Sequence, residues 1–353
     1  VPELVLQQTS PYGTRRASLL RGDGDTYLYF EDLVGSVSAT TAAVWVGNHQ
    51  PAPTDDRVVE PAGTPPRMGA GGTRFPDGCP DLDGSLEVVW FEEGDGVALL
   101  DAEGVLAAIP GWAGRREFYG YSRYARGRTG LAWELTRDAS AAFDAKVEQS
   151  RAFWAWRGAA GWQEIRTRGM NHLRARLGPQ LAAWPLTSAP FPEIIATRHQ
   201  LGSQPLWVTA TTGLAGQRMA GVEQFLDEPE RYGRIELAIA RPSADRDGAE
   251  LLNTLASIPF GRCTWLGEGH TIGGSPGTYP AFGPDKAAVL LTATPPTASG
   301  YPAPDLTGLV CRGEPVTYLW VMVIDEETFR MARGQDASTA LAHLEGLGAS
   351  WIQ

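Results

Sequence analysis

The chain is poor in the residues from which covalent or metal-held frameworks are built. Among 353 residues there are three cysteines and five histidines. Cys79, Cys263 and Cys311 lie far apart with no Cys-x-x-Cys pair, which excludes a disulfide framework and a zinc knuckle. His49, His172, His199, His270 and His343 include no His-x-x-x-His pair, so no zinc-protease signature exists and neither a metal nor an organic cofactor is expected. A Gly-x-x-x-x-Gly-Lys-Ser/Thr loop and a Gly-x-Ser-x-Gly elbow are missing too, which leaves nucleotide and acyl-transfer chemistry without support. Long apolar runs are also lacking. The longest, residues 318–324, falls far short of the ~20 residues that span a bilayer, and the opening Val1-Pro2-Glu3-Leu4 has no basic start followed by an apolar stretch. A soluble protein of a reducing cytoplasm is the expectation.

What the chain has in excess is acid. The formal net charge is −11, carried by residues 1–134 and 193–353, while the stretch between them is basic. Nucleic-acid binding needs a basic face that releases counterions from phosphate, so acidic lobes argue against it. They would steer a basic protein partner instead.

The length suggests two domains, each able to bury its own core. Residues 1–134 read as a β-rich domain: Thr26-Tyr27-Leu28-Tyr29-Phe30, Ala42-Ala43-Val44-Trp45-Val46 and Glu87-Val88-Val89-Trp90-Phe91 are aromatic or β-branched runs between turn residues. Glu93-Gly94-Asp95-Gly96 is a hairpin-turn signal, with Asp-Gly expected to supply positive φ. Residues 48–80, rich in Pro and Gly, predict a long surface excursion. Residues 115–128 mix five arginines with four aromatics; that composition suits an internal salt-bridged loop or a protein contact better than RNA on so acidic a domain. Residues 135–192 predict a helical connector with Asp138 as N-cap, a break after Gly158 and an end at Gly178-Pro179.

Residues 193–353 predict an α+β domain. Ile235, Leu237 and Ile239 alternate with Glu236, Ala238 and Ala240 as in a strand with one buried face, and residues 316–324 suit a central strand buried on both faces. Asp325 can cap a helix that opens with Glu326 and Glu327. Leu251, Leu252 and Leu255 fall at helical spacing. Between these elements lies Gly267-Glu268-Gly269-His270-Thr271-Ile272. Taken in order with Pro205-Leu206-Trp207-Val208-Thr209, Thr212-Gly213-Leu214, the strand from Arg234 and Val321-Met322-Val323-Ile324-Asp325-Glu326-Glu327, this series resembles the suppressor-of-fused (SUFU) domain. The resemblance implies a mixed sheet with flanking helices and a non-enzymatic binding module, which in many bacterial members is inferred to be an immunity protein that neutralises a toxin. The first half is similar only to an uncharacterised segment ahead of SUFU domains in some actinobacterial proteins.

No catalytic residue is expected on this reading. Glu268, His270, Thr271, Trp207, Glu326 and Glu327 are the candidates for touching a protein partner, one such partner being a basic toxin domain. A regulatory scaffold without a toxin is the rival binding role. The rival chemistry is an acid/base pair, Glu268 with His270, in a cleft near Asp325 or Glu327; against it stands a structural reading in which the glycines shape the loop and the imidazole satisfies buried carbonyls.

Overall fold

The computed structural model describes residues 2–35, 38–54, 66–82, 84–114, 118–203, 205–297, 302–334 and 336–353. Part of the expected excursion, residues 55–65, and Arg115, Arg116 and Glu117 of the arginine-rich segment lie outside the described residues. The chain divides into two compact units. One holds Val1–Ala159, Glu223–Phe225 and Gly261–Cys263; the other holds Ala160–Val222, Leu226–Phe260 and Thr264–Gln353. The stretch 135–192 is thus divided after Ala159.

The first unit is β-rich. Strands β1 (Glu3–Thr9), β2 (Arg15–Arg21), β3 (Asp25–Asp32) and β4 (Ala39–Asn48) form an antiparallel meander in that order. β5 (Glu87–Trp90), β6 (Val97–Asp101), β7 (Gly104–Ile109), β8 (Tyr121–Ser122) and β9 (Trp133–Glu134) form a second sheet. Leu19, Leu28, Val44 and Trp45 of the first and Leu99, Leu106 and Ile109 of the second meet in one core. Each such side chain contributes about 1.5–3 kcal/mol by leaving water, before entropy is counted. The 48–80 excursion is tied at its base, where the Cys79 amide donates to the Asn48 carbonyl (2.7 Å) and the buried Asn48 side chain donates to the Met68 carbonyl (2.9 Å).

Helix α1 (Arg137–Gly158) starts two residues earlier than Asp138 as its cap suggested. Thr136 is the cap, its hydroxyl accepting from the Ala139 amide at 3.3 Å, and Asp138 sits in the first turn at the positive end of the helix. Phe143 stacks on Phe91 at 6.1 Å, and Trp154 donates its indole N–H to the Trp90 carbonyl at 2.8 Å. The 93–96 turn exists, but its positive φ (75°) falls on Gly94. Glu93 is buried, and Lys146 of α1 lies 3.5 Å from its carboxylate.

The second unit opens with α2 (Gly161–Leu177), which ends at Gly178 with φ 88° as the Gly-Pro signal required. It carries β10 (Gln180–Pro185), β11 (Ile195–Gln200), β12 (Trp207–Thr212), β13 (Ile235–Arg241), α3 (Asp247–Ala256), β14 (Thr271–Gly273), β15 (Lys286–Thr292), the short pair β16 (Val310–Cys311) and β17 (Glu314–Pro315), β18 (Thr317–Asp325), α4 (Glu326–Gly334) and α5 (Ala337–Gly346). Seven strands form one mixed sheet in the order β10-β11-β12-β13-β18-β15-β14, with β13 and β18 parallel and the other pairs antiparallel. The sheet therefore draws its edge strand from residues ahead of 193.

β18 is buried on both faces, as its continuous apolar run implied. β13 departs from the one-faced strand that its alternation suggested: residues 235–240 are all buried, including Glu236. The reason is that helices cover both sides. Gly169 of α2 approaches Thr212, and His172 stacks on Tyr318. On the other side Gly248 of α3 approaches Ile239. Helices α4 and α5 cover Ala288, Leu290, Met322 and Ile324. Asp325 caps α4 by accepting from the Thr328 amide at 2.8 Å. Among the described residues no helix is long and apolar enough to cross a membrane.

Truncating Leu290, fully buried under α4 and α5, removes methyl groups from a closely packed layer. Leu290→Ala is expected to cost about 2–5 kcal/mol. Leu347→Ser, at a site 64% exposed, is expected to stay within about 0.5 kcal/mol. Urea unfolding midpoints of the two variants check both.

Candidate functional site

The second unit holds a buried carboxylate that the sequence reading placed on a solvent face. Oε1 of Glu236 accepts from the amides of Gly213 (2.9 Å) and Ala215 (3.1 Å), and Oε2 accepts from the Thr211 hydroxyl (2.6 Å). Thr211 in turn accepts from the Leu237 amide at 2.8 Å, so the end of β12, the turn after it and the start of β13 are fastened to one side chain. Burial raises the Glu236 pKa to about 7, against the pull of these donors. Tyr318 occupies the register position beside Glu236 on the parallel neighbour, and burial, then Glu236 itself, holds its phenol far above the usual range. Arg234, 2% exposed in its side chain, donates to the Glu314 carboxylate at 2.7 Å and to the Ala215 carbonyl at 3.2 Å. Arg218 joins the same carboxylate. One signal for Glu236 was present in the sequence: the supposed polar face reads Glu236, Ala238, Ala240, too apolar for water.

The glycine-rich stretch forms a strap along the opposite sheet edge. The Gly269 amide donates to the Leu291 carbonyl (2.8 Å), and the His270 carbonyl accepts from the Leu291 amide (2.9 Å), which leads into β14. Two of its glycines are required by contacts. Gly269 has φ +79° and a Cβ there would lie 2.7 Å from the Ala337 Cβ of α5; Gly274 has φ +144° and a Cβ would lie 2.9 Å from the Phe329 ring of α4. The strap is therefore the seat of the α4–α5 pair. Glu268, though exposed, accepts from the Ala293 amide. His270 packs edge-on against Trp265 at 4.2 Å; burial lowers its pKa, opposed by a hydrogen bond to the Trp265 backbone, so the ring is neutral at pH 7.

The six candidate residues fall in three places. Glu268, His270 and Thr271 lie together on the strap, level with residues 290–293. Glu326 and Glu327 open α4 beyond Asp325, which pairs with Lys286 at the far end of β15. At about 3.3 Å per residue, the five residues from Lys286 to Leu291 separate them by about 16 Å. Glu268 and His270 thus lie toward one end of β15 and Asp325 toward the other. Trp207, half-buried, begins β12 opposite Arg241, away from the strap. Glu326 sits 3.5 Å from Arg330.

A mixed-sheet α+β domain, latched by a buried glutamate and strapped by a glycine-rich edge, is thus the class of module in the second unit. Residues 193–351 match the family model for Suppressor of fused protein (SUFU). Among solved structures the chain is similar to a SUFU homolog from Neisseria gonorrhoeae FA 1090, at 14% identity over 54% of this chain and 94% of that one, with a TM-score of 0.37. No curated protein matches the chain.

Glu236 and the strap each generate an expected outcome. Because the folded pKa lies above the ordinary carboxylate value of 4.5, the unfolded chain releases this proton first as pH rises. Stability from this group is full below about 4.5 and is lost as pH climbs toward about 7. Glu236→Gln, which keeps an acceptor for Gly213 and Ala215, is expected to flatten that part of the stability profile, measured by urea unfolding from pH 4.5 to 8. For the strap, Gly269→Ala should destabilise by at least about 1–2 kcal/mol from the left-handed backbone alone. Adding Ala337→Gly should recover the steric part and leave the backbone part, a difference read from a double-mutant cycle.

Proposed function

We propose that this chain acts by binding a protein partner through the part that matches the SUFU family and turns over no substrate. The match of residues 193–351 to the SUFU family carries this reading. It is supported by the local engagement of the two side chains that chemistry would have used, Glu268 with the Ala293 amide and His270 with Trp265. Glu268, His270 and Thr271 form one contact patch on this proposal, and Trp207, Glu326 and Glu327 belong to other surfaces of the same unit. The net charge of −11 favours a basic partner. The particular role proposed is bacterial immunity in the cytoplasm, where the three cysteines remain free thiols and the partner is a toxin domain held stoichiometrically.

The reading is tested by affinity capture with the full chain, identification of what is retained by mass spectrometry, and measurement of its association rate against salt. The expected partner is basic, and its association rate falls steeply with ionic strength. Glu268→Ala and His270→Ala are expected to weaken it up to roughly a hundredfold, the equivalent of about 1–3 kcal/mol. A hydrolase or transferase activity that drops by two orders of magnitude in either variant, with folding intact, would overturn the proposal.

A further inference from the structure

Thr211 has more hydrogen-bond partners than a single protonation state of its neighbour can use. Its hydroxyl oxygen lies 2.6 Å from Oε2 of Glu236 and 3.4 Å from the Leu237 carbonyl, and it accepts the Leu237 amide at 2.8 Å. A hydroxyl has one hydrogen to give and two lone pairs with which to accept. It can therefore donate to the carboxylate or to the carbonyl, one at a time. Both side chains are buried, so bulk water does not compete for these bonds.

We propose that Thr211 and Glu236 form a two-position proton latch: the Thr211 hydroxyl points to Glu236 Oε2 while the carboxylate is ionised, and turns to the Leu237 carbonyl once Oε2 carries a proton. In the second position the acid O–H donates to the Thr211 oxygen, whose other lone pair keeps the Leu237 amide. One proton enters from solvent, one hydroxyl turns, and no backbone hydrogen bond is given up. Oε1 accepts the Gly213 and Ala215 amides in both positions. The 2.6 Å separation suits a charge-assisted bond, and the 3.4 Å one is the weaker seat, taken only when the acid proton displaces the hydroxyl.

The groups around Glu236 leave its proton to this exchange. Among the described residues no ion pair engages it: Arg234, on the same strand, donates to Glu314, which Arg218 shares. β12 and the turn after it offer a hydroxyl and amides. From β18 comes Tyr318, held protonated by burial and then by Glu236. From α2 comes His172, which stacks on the Tyr318 ring and meets the Leu306 carbonyl through Nε2 at 2.9 Å. Burial opposed by hydrogen bonds, with no ion pair to hold the charge, sets the carboxyl at about 7, so the latch changes position in the neutral range. The end of β12, its turn and β13 stay fastened on either side of that change.

The test is NMR of the isotope-labelled full chain from pH 5 to 9, following the Glu236 carboxyl carbon and the exchange protection of the Gly213, Ala215 and Leu237 amides, corrected for intrinsic rate. Expected is one carboxyl titration step in the neutral range, with all three amides protected to within about threefold on both sides of it. Thr211→Val, which keeps the shape and removes the hydroxyl, should lower protection of Gly213 and Ala215 about tenfold or more on both sides, and Thr211→Ser should not. If Thr211→Val does not fold, Glu236→Gln takes its place. Its side-chain N–H stands where the acid O–H would, so it should show the wild-type acid-side protection at every pH and no step. A carboxyl that does not titrate between pH 5 and 9 overturns the proposal. So do wild-type amides that lose protection on one side of the step, a Thr211→Val loss confined to the alkaline side, or a Glu236→Gln chain whose amides are unprotected.

Discussion

A carboxylate enclosed by sheet and helix must be met by donors, and Glu236 meets this demand with main-chain amides. The two amides on Oε1 belong to the turn after β12, and the Thr211 hydroxyl links Oε2 to the backbone of β13. An unmet buried charge would cost several kcal/mol, so the path of residues 211–215 is dictated by the glutamate as much as by the strands around it. The same turn presents the Ala215 carbonyl to Arg234, which carries the constraint on to Glu314 and Arg218. The seat of α2 follows, since Trp162 closes on Gly216 and His172 on Tyr318.

Much of this was legible in the chain because hydrophobic pattern and turn chemistry agree. The β18 run, the Asp325 cap, the Gly178 terminus and the β-rich first half each needed only local information. The misreadings share a cause. Glu236 alternates as a solvent-facing residue would, and only the arrival of α2 makes its face an interior. Thr136 took the cap that Asp138 seemed to offer because a cap is chosen by where the chain turns, which depends on β9 before it. The Gly267–Gly274 stretch was legible as a feature but not in purpose, because the reason for its glycines lies in Ala337 and Phe329, far along the chain.

These observations separate two kinds of prominence. Within the cluster of glycine, histidine and glutamate, it is Gly269 and Gly274 that make room for Ala337 and Phe329 of the helices. The tyrosines of β3 were read only as strand formers, and they line an open space.

The parallel pairing of β13 with β18 reaches further than its four registered positions suggest. Ile235 meets Thr317, so the middle of the sheet closes only after the chain between them, with α3, β14 and β15, has been made and has found its place. Local hairpins such as β11–β12 can form early, but the central seam is a late, long-range event whose loop must be closed before burial repays it. While a ribosome is still delivering residues beyond 241, the apolar edge of β13 waits without its neighbour. The nascent domain then presents an unpaired apolar edge, the kind of surface on which wrong pairing starts and which a holdase can shield.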